Sequence, residues 1–304
     1  MTPHNTAPAD TTALITGATA GIGAEFARQL AEQGHNVVLV ARDAARLRAR
    51  AEELTQRYSV RAEVLAADLA DDGGVAAVVA RLTDPARPVE ILVNNAGIGL
   101  LHSFADNSIA DETRHLKLHV ETAMQLTHAA LQGMLSRQSG RIINVASVAA
   151  YLPRGSYSAA KAWLVSFSRW ANLAYSKQGI MVTAVCPGFT HTEFHDRMGM
   201  DKNVAPRWMW LQAERVVREG LADNAGGKAV SIPTKRYKVL IAAVRVLPDR
   251  LLAGPPRRAT QVARTASRRA KGPPGVLPQW VEHGRRTSWA GLYYRVRISR
   301  SGSG

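Results

Sequence analysis

Tyr157 and Lys161 stand four apart in YSAAK, a spacing that puts both side chains on one face of a helix, one turn apart. A phenol with its ordinary pKa of about 10 is a poor acid–base catalyst at neutral pH. A nearby ammonium favours the phenolate and lowers that value, which is the chemical reason to pair the two. Ser147 lies ten positions before Tyr157, at the end of the apolar run RIINVAS. From a strand end its hydroxyl can bond a carbonyl oxygen and hold it in reach of Tyr157. A Tyr-x-x-x-Lys pair alone is usually a solvated helix face, so its chemistry rests on what other elements place beside it.

Short apolar runs alternate with amphipathic stretches along most of the chain. TALIT (12–16), NVVLVA (36–41), RAEVLAAD (61–68), EILVN (90–94), RIINVAS (141–147) and IMVTAVC (180–186) read as strands, with KAVSIP (228–233) as a short addition. Their near-continuous apolar character suits strands buried on both faces. Helical patterns fall at 21–33, 43–57, 71–82, 106–136, 157–178 and 209–222. This alternation predicts an α/β fold, a doubly wound parallel sheet of about seven strands with helices on both faces. The expected domain covers residues 10–253. Its last apolar stretch, 237–252, is flanked by basic residues and reads as a helix packed on the domain, with a membrane-surface helix as the alternative. Ser156, just before the helix carrying Tyr157, suits an N-cap.

TALIT runs directly into GATAGIG and then into the helical AEFARQLAEQG. Gly17, Gly21 and Gly23 serve a turn of unusual φ and a close approach of backbone to a pyrophosphate. Thr19, Ala20 and Ile22 complete that turn, and the helix N-terminus behind it favours anions. The strand–turn–helix context makes this a dinucleotide site. Arg42, at the end of the second strand, suits a 2′-phosphate where an acid would suit ribose hydroxyls, so NADP(H) is expected and NAD is the alternative. Arg46 is either a second phosphate partner or an exposed helix residue. Asp68 ends the third strand, where it can accept from an adenine amine, and Leu69 follows it. Asn94, Asn95, Ala96 and Gly97 follow the fourth strand and are expected against the cofactor. Positive charge on an oxidised nicotinamide adds to the effect of Lys161 on Tyr157, and Lys161 can also bond the ribose.

TGATAGIG (16–23), Asp68, NNAG (94–97), Ser147, YSAAK (157–161) and PGFTHT (187–192) together resemble the short-chain dehydrogenase/reductase family. The resemblance covers roughly residues 10–250. It implies one Rossmann-like domain, reversible hydride transfer between NAD(P)H and a carbonyl or alcohol, and the roles argued above for serine, tyrosine and lysine. Pro187, Gly188, backbone near Thr190 and the hydroxyl of Thr192 are implied at the nicotinamide and phosphates. Homodimers or homotetramers are common in the family. Two departures stand out. His119, in KLHVETAMQLT, occupies the place of an asparagine held to anchor a relay water; it is expected either to keep that relay or simply to pack. The interval from Ser147 to Tyr157 is also short for the family, so the loop between them, at the substrate mouth, is expected to be tight.

Tyr151 lies in that loop, as a substrate contact or as packing. His191 and His195 sit with Phe194, Met198 and Met200 in an expected lid, whose composition suits a lipophilic ketone. The histidines lack metal-ligand spacing, so no metal is expected. The single cysteine, Cys186, excludes an intrachain disulfide and reads as a small buried residue. Neither a secretory leader nor a membrane-spanning run is evident, which suggests a soluble cytoplasmic protein.

The formal net charge is +15, and its location matters. Residues 257–304 carry eleven Lys/Arg and one acid, Glu282, a net +10 that leaves +5 for residues 1–256. Residues 254–304 therefore read as a basic tail, a disordered or read-through extension, with nucleic acid or anionic membrane as less economical partners. A small-molecule substrate remains the expected partner of the domain. The rival to an enzyme is a dinucleotide-binding sensor on the same fold, which would have no need of Ser147, Tyr157 and Lys161.

Overall fold

The computed structural model describes residues 11–100, 102–193 and 205–252. Its strands are β1 Thr12–Thr16, β2 Asn36–Ala41, β3 Ala62–Ala66, β4 Ile91–Asn94, β5 Gly140–Val145, β6 Ile180–Val185 and β7 Val230–Ser231. They form one parallel seven-stranded sheet in the order β3-β2-β1-β4-β5-β6-β7. Ala13 of β1 pairs with Val37 on one side and Ile91 on the other. The direction of winding therefore reverses between β1 and β4, where a crevice opens at the carboxyl ends of the strands.

The helices are α1 Gly21–Glu32, α2 Ala44–Tyr58, α3 Asp72–Leu82, α4 Ile109–Leu116, α5 Thr122–Arg137, α6 Gly155–Tyr175, α7 Ala213–Ala225, α8 Lys235–Val244 and α9 Asp249–Leu252. Successive strand residues point to opposite faces and so feed two cores. Ala13, Ile15, Val37 and Leu39 pack with Phe26 and Leu30 of α1, Leu47 and Leu54 of α2, and Val216 and Val217 of α7. Leu14, Val38, Val40 and Leu92 pack with Val75 and Val78 of α3 and with Leu126, Leu131 and Met134 of α5. The doubly wound expectation holds because the strands are apolar on both faces.

Boundaries differ where local signals were weak. The expected helix over 106–136 is α4 and α5 joined by a π-turn, Lys117–Glu121, which carries His119. Helix α6 starts at Gly155, where φ is +78° and only glycine is at ease. Ser156 therefore lies within the first turn and is not the N-cap. The cap position belongs to Arg154, with no side-chain cap bond. Between Ser147 and α6 the chain makes a 3₁₀ turn, Val148–Tyr151, followed by only three residues, so the loop is tight as expected. Strands β3 and β5 stop short of Asp68 and Ser147, which sit two residues beyond them. The stretch 237–252 breaks into α8 and α9, and α8 buries Tyr237, Ile241 and Val244 against the domain. Phe194, His195, Met198, Met200 and the basic tail lie outside the described residues. Among the described residues, no helix is long and apolar enough to cross a membrane.

Gly188, expected at the cofactor, has a packing reason to be glycine. A Cβ there would fall 1.9 Å from Cζ of Tyr237. The ring is buried, its hydroxyl accepts from Phe189 N–H at 3.1 Å and donates to Met209 O at 2.8 Å. Gly188→Ala should therefore destabilise the domain by about 1–3 kcal/mol, read as a lower urea midpoint; an unchanged midpoint would mean the ring has room to move.

Candidate active site

The glycine-rich turn leaves β1 with φ of +68° at Gly17 and +57° at Gly21. At Gly23 a Cβ would sit 2.3 Å from Gly17 O and 2.4 Å from Asn95 Nδ2, so α1 packs directly on the turn. Ala20 stands at the N-cap of α1 and offers no side-chain acceptor. The first N–H groups are thus left to an external anion, and Thr19 to Ile22 keep part of their surface exposed. These features fit a dinucleotide pyrophosphate. Thr192 closes over the turn, its Cβ 3.0 Å from the place of a Gly21 side chain.

Thr16 organises this corner and was not singled out in the sequence. Its hydroxyl donates to Val93 O at 3.1 Å and accepts from Asn95 N–H at 2.8 Å and Ala96 N–H at 3.0 Å. Asn95 Nδ2 returns a bond to Thr16 O at 2.9 Å. The available signal was a hydroxyl residue at the end of β1, beside the turn. Asn94 departs from its expected place against the cofactor. Its amide points into the helix layer, donating to Asn144 Oδ1 at 2.9 Å and Thr127 Oγ1 at 3.1 Å, and Asn144 Nδ2 donates to Ser168 Oγ at 2.9 Å. A polar residue inside an otherwise apolar strand was the clue to that chain.

On the adenosine side, Arg42 is exposed at the end of β2. Arg46 pairs with Glu193 at 2.9 Å, both largely exposed. Asp68 accepts from Ala70 N–H at 3.0 Å and pairs with Arg114 at 3.1 Å, so its carboxylate already has two protein partners. Leu69 is buried and its carbonyl accepts from Thr122 Oγ1 at 2.9 Å.

Ser147, Tyr157, Lys161 and His119 come together at the same sheet edge. Ser147 Oγ accepts from Ala149 N–H at 3.1 Å and lies beside the Tyr157 hydroxyl. Lys161 is buried, donates from Nζ to Val145 O at 2.7 Å, and sits 5.7 Å from the centre of the Tyr157 ring. His119 is buried 5.7 Å from Tyr157, ring to ring. Gly97 lacks a side chain because a Cβ would lie 2.5 Å from Cε1 of His119. A cavity of about 10 Å³, room for about one water, is lined by Lys161, His119, Asn94 and Thr122. Thr190 is buried and bonds Gly188 O at 3.0 Å, and Pro187 O accepts from Val148 N–H at 3.0 Å. Tyr151 packs beside Cys186 and under the Arg245 guanidinium, 4.8 Å from its ring centre, which is the packing alternative. His191 stacks on Trp210 at 4.8 Å.

The electrostatics reverse one expectation. Burial pushes the Tyr157 phenol up to about 12, with the nearby Ser147 hydroxyl working against it. Burial also brings the Lys161 amine down to about 7, so the protein alone does not supply the full ammonium that would lower the phenol. Cys186 is fully buried, and its thiol is likewise pushed up to about 12.

These shifts have a sign. Between about 7 and 10.5 the unfolded chain protonates Lys161 while the folded chain does not, so this lysine's contribution to stability rises with pH across that window. Above 10 the unfolded chain ionises Tyr157 first, and that contribution falls as pH climbs towards 12. Lys161→Met, without cofactor, should flatten the rise between pH 7 and 10 in the urea midpoint relative to the natural chain. Parallel curves for the two proteins would show that the amine is not discharged by burial.

A family model described as short chain dehydrogenase matches residues 11–203. Oxidoreductase UcpA of Escherichia coli is 34% identical over 198 residues, 63% of this chain and 74% of that protein. The short-chain dehydrogenase from Sphingobium yanoikuyae, solved with NADPH, superposes with a TM-score of 0.72 at 31% identity, over 89% of this chain and 99% of its own. A bulky-bulky ketone specific alcohol dehydrogenase from Comamonas testosteroni gives a TM-score of 0.67 at 29% identity, over 83% and 98%.

Proposed function

Because the chain belongs to the short chain dehydrogenase family, we propose that it is an NADP(H)-dependent reductase of small, lipophilic ketones, working reversibly on the matching secondary alcohols. The observation that carries this reading is the meeting of Ser147, Tyr157 and Lys161 at the sheet edge, with the serine beside the phenol and the amine 5.7 Å from its ring centre. The nucleotide, when bound, supplies or accepts the hydride at its nicotinamide. Gly17 to Gly23 hold its pyrophosphate on the open N-terminus of α1, and Arg42 pairs with a 2′-phosphate. The NADPH bound by the Sphingobium yanoikuyae enzyme supports the phosphorylated form. Asn95 to Gly97, Pro187, Gly188, Thr190 and Thr192 line the rest of the nucleotide.

Ser147 holds the substrate oxygen and Tyr157 gives it a proton during reduction, or takes one during oxidation. Lys161 steadies the ribose and, when charged, favours the phenolate. His119 links the cavity beside Lys161 to the backbone of Ile98. A lipophilic substrate agrees with the bulky-bulky ketone specificity of the Comamonas testosteroni neighbour. The aromatic stripe of α6 supports self-association as a dimer or tetramer. Trp163 stacks on Phe167 at 4.8 Å, and Trp170 and Leu173 are 55% and 79% exposed. The catalytic unit of this reading is residues 10–253, working in the cytoplasm, so ending the chain at Gly254 should leave turnover intact.

Tyr157→Phe should lower NADPH-dependent turnover across a ketone panel by roughly 10²–10⁴-fold while NADPH still binds by fluorescence. Full turnover by that variant would sink the assignment, and binding with no turnover by the natural chain would favour a sensor. Arg42→Asp should weaken NADPH relative to NADH by roughly tenfold or more, read as the ratio of kcat/KM values. Trp170→Glu should reduce the mass seen by light scattering; an unchanged mass would place any interface elsewhere.

A further inference from the structure

Glu112, His115 and His119 are spaced three and four apart along α4 and its π-turn, on the face turned to the active site. The two imidazoles lie 4.4 Å apart, centre to centre, and each is within 6 Å of the Tyr157 ring, at 5.9 Å for His115 and 5.7 Å for His119. Both ring nitrogens of His115, Nδ1 of His119 and Oε2 of Glu112 are buried with no hydrogen-bond partner among the described residues. An unpaired buried polar atom costs about 1–3 kcal/mol, so four in one row need a purpose. At the outer end Asn107 Nδ2 donates to Glu112 Oε1 at 2.9 Å and to the backbone carbonyl of the exposed His102 at 3.2 Å. At the inner end His119 and Lys161 line the one-water cavity. The row thus lies between the tyrosine and lysine and the start of α4, its two rings in contact but its three side chains not hydrogen-bonded to one another at rest.

We infer that Glu112, His115 and His119 form a proton file that restores the proton Tyr157 gives to the substrate, with His115 as its middle carrier. This inference rests on the acid–base role proposed for Tyr157. A neutral imidazole passes a proton by accepting at one nitrogen and releasing from the other, which exchanges its tautomer. His119 is built for that exchange. Its Nε2 lies 2.8 Å from Ile98 O and 3.1 Å from Ile98 N, so one backbone residue offers an acceptor when Nε2 carries hydrogen and a donor when it does not. Tyr157 and Lys161 of α6 face the two rings, and Glu112 is the acid beside them on α4. Burial holds both imidazoles below their ordinary value, hence neutral at pH 7, the state that both accepts and donates. During reduction the Tyr157 O–H bond breaks towards the substrate oxygen. In one concerted shift solvent then gives a proton to His115 past Glu112, His115 passes the proton of its other nitrogen to His119, and His119 passes its own through the cavity and Lys161 to the phenolate, so each ring stays neutral and exchanges its tautomer. One solvent proton enters per turnover and no electrons move along the file.

Two measurements test this, the first independent of turnover. In ¹⁵N-histidine-labelled protein, NMR should show His119 as an exchanging mixture of tautomers, and His115→Gln should collapse it towards one. A single fixed tautomer in the natural chain overturns the file, whether or not any ketone is reduced. With benzophenone and NADPH, His115→Gln and His115→Ala should lower kcat by roughly tenfold or more at unchanged KM and NADPH affinity, and added imidazole should restore the alanine variant. A smaller loss of kcat is expected for Glu112→Gln. Unchanged kcat and solvent isotope effect in the folded His115→Gln protein, or loss without imidazole rescue in His115→Ala, would assign His115 to packing. If benzophenone is not turned over, the tautomer measurement still decides.

Discussion

One threonine hydroxyl holds the crevice of this sheet together. Thr16 ends β1 and bonds three backbone groups of the strand next to it, the carbonyl of Val93 and the amides of Asn95 and Ala96. Strand order reverses at this seam, so nothing covalent nearby fixes the two halves in register. The hydroxyl uses its donor and both acceptor positions there, the full capacity of the group. With the seam locked, the glycine-rich turn on one side and the Asn95–Gly97 turn on the other keep a constant separation. Gly23 then has to be glycine, because its α-carbon sits against both.

A second polar chain ties the catalytic helix to the same seam. Thr127, Asn94, Asn144 and Ser168 pass hydrogen bonds from α5 through β4 and β5 to α6, all in the buried interior. Buried amides are expensive unless bonded, so each partner restricts the next to one orientation. Ser168 lies seven residues after Lys161 on α6, and the amine of Lys161 is itself held by Val145 O. The position of Tyr157 relative to Ser147 is therefore set by the sheet and not by the short loop between them.

Burial gives this site its electrostatic character and also its tension. It favours a protonated phenol and an uncharged amine, the opposite of the pair that makes Tyr157 a base. The same burial keeps His115 and His119 neutral beside them. In the proposed reaction, a site in this state is prepared for proton donation, the direction of ketone reduction. Positive charge arriving at the site would shift the balance towards the phenolate, since it acts on groups with little water to screen them.

The repeating apolar strands, the glycine turn and the four-residue step from Tyr157 to Lys161 were legible along the chain because each is a local pattern with one physical reading. They determined the doubly wound sheet and named the residues that meet at its edge, where the dinucleotide is proposed to lie. Less legible were the starts and stops. Helix α6 begins at Gly155 because glycine accepts the left-handed turn there, which moved Ser156 inside the helix. The inward turn of Asn94, the three-way bond of Thr16 and the face shared by Glu112, His115 and His119 with Tyr157 all depend on partners distant in sequence. Charge state was decided last of all. Types and spacing name a phenol beside an amine, but only the packed structure sets how much water each keeps, and that desolvation decides which of them carries its charge.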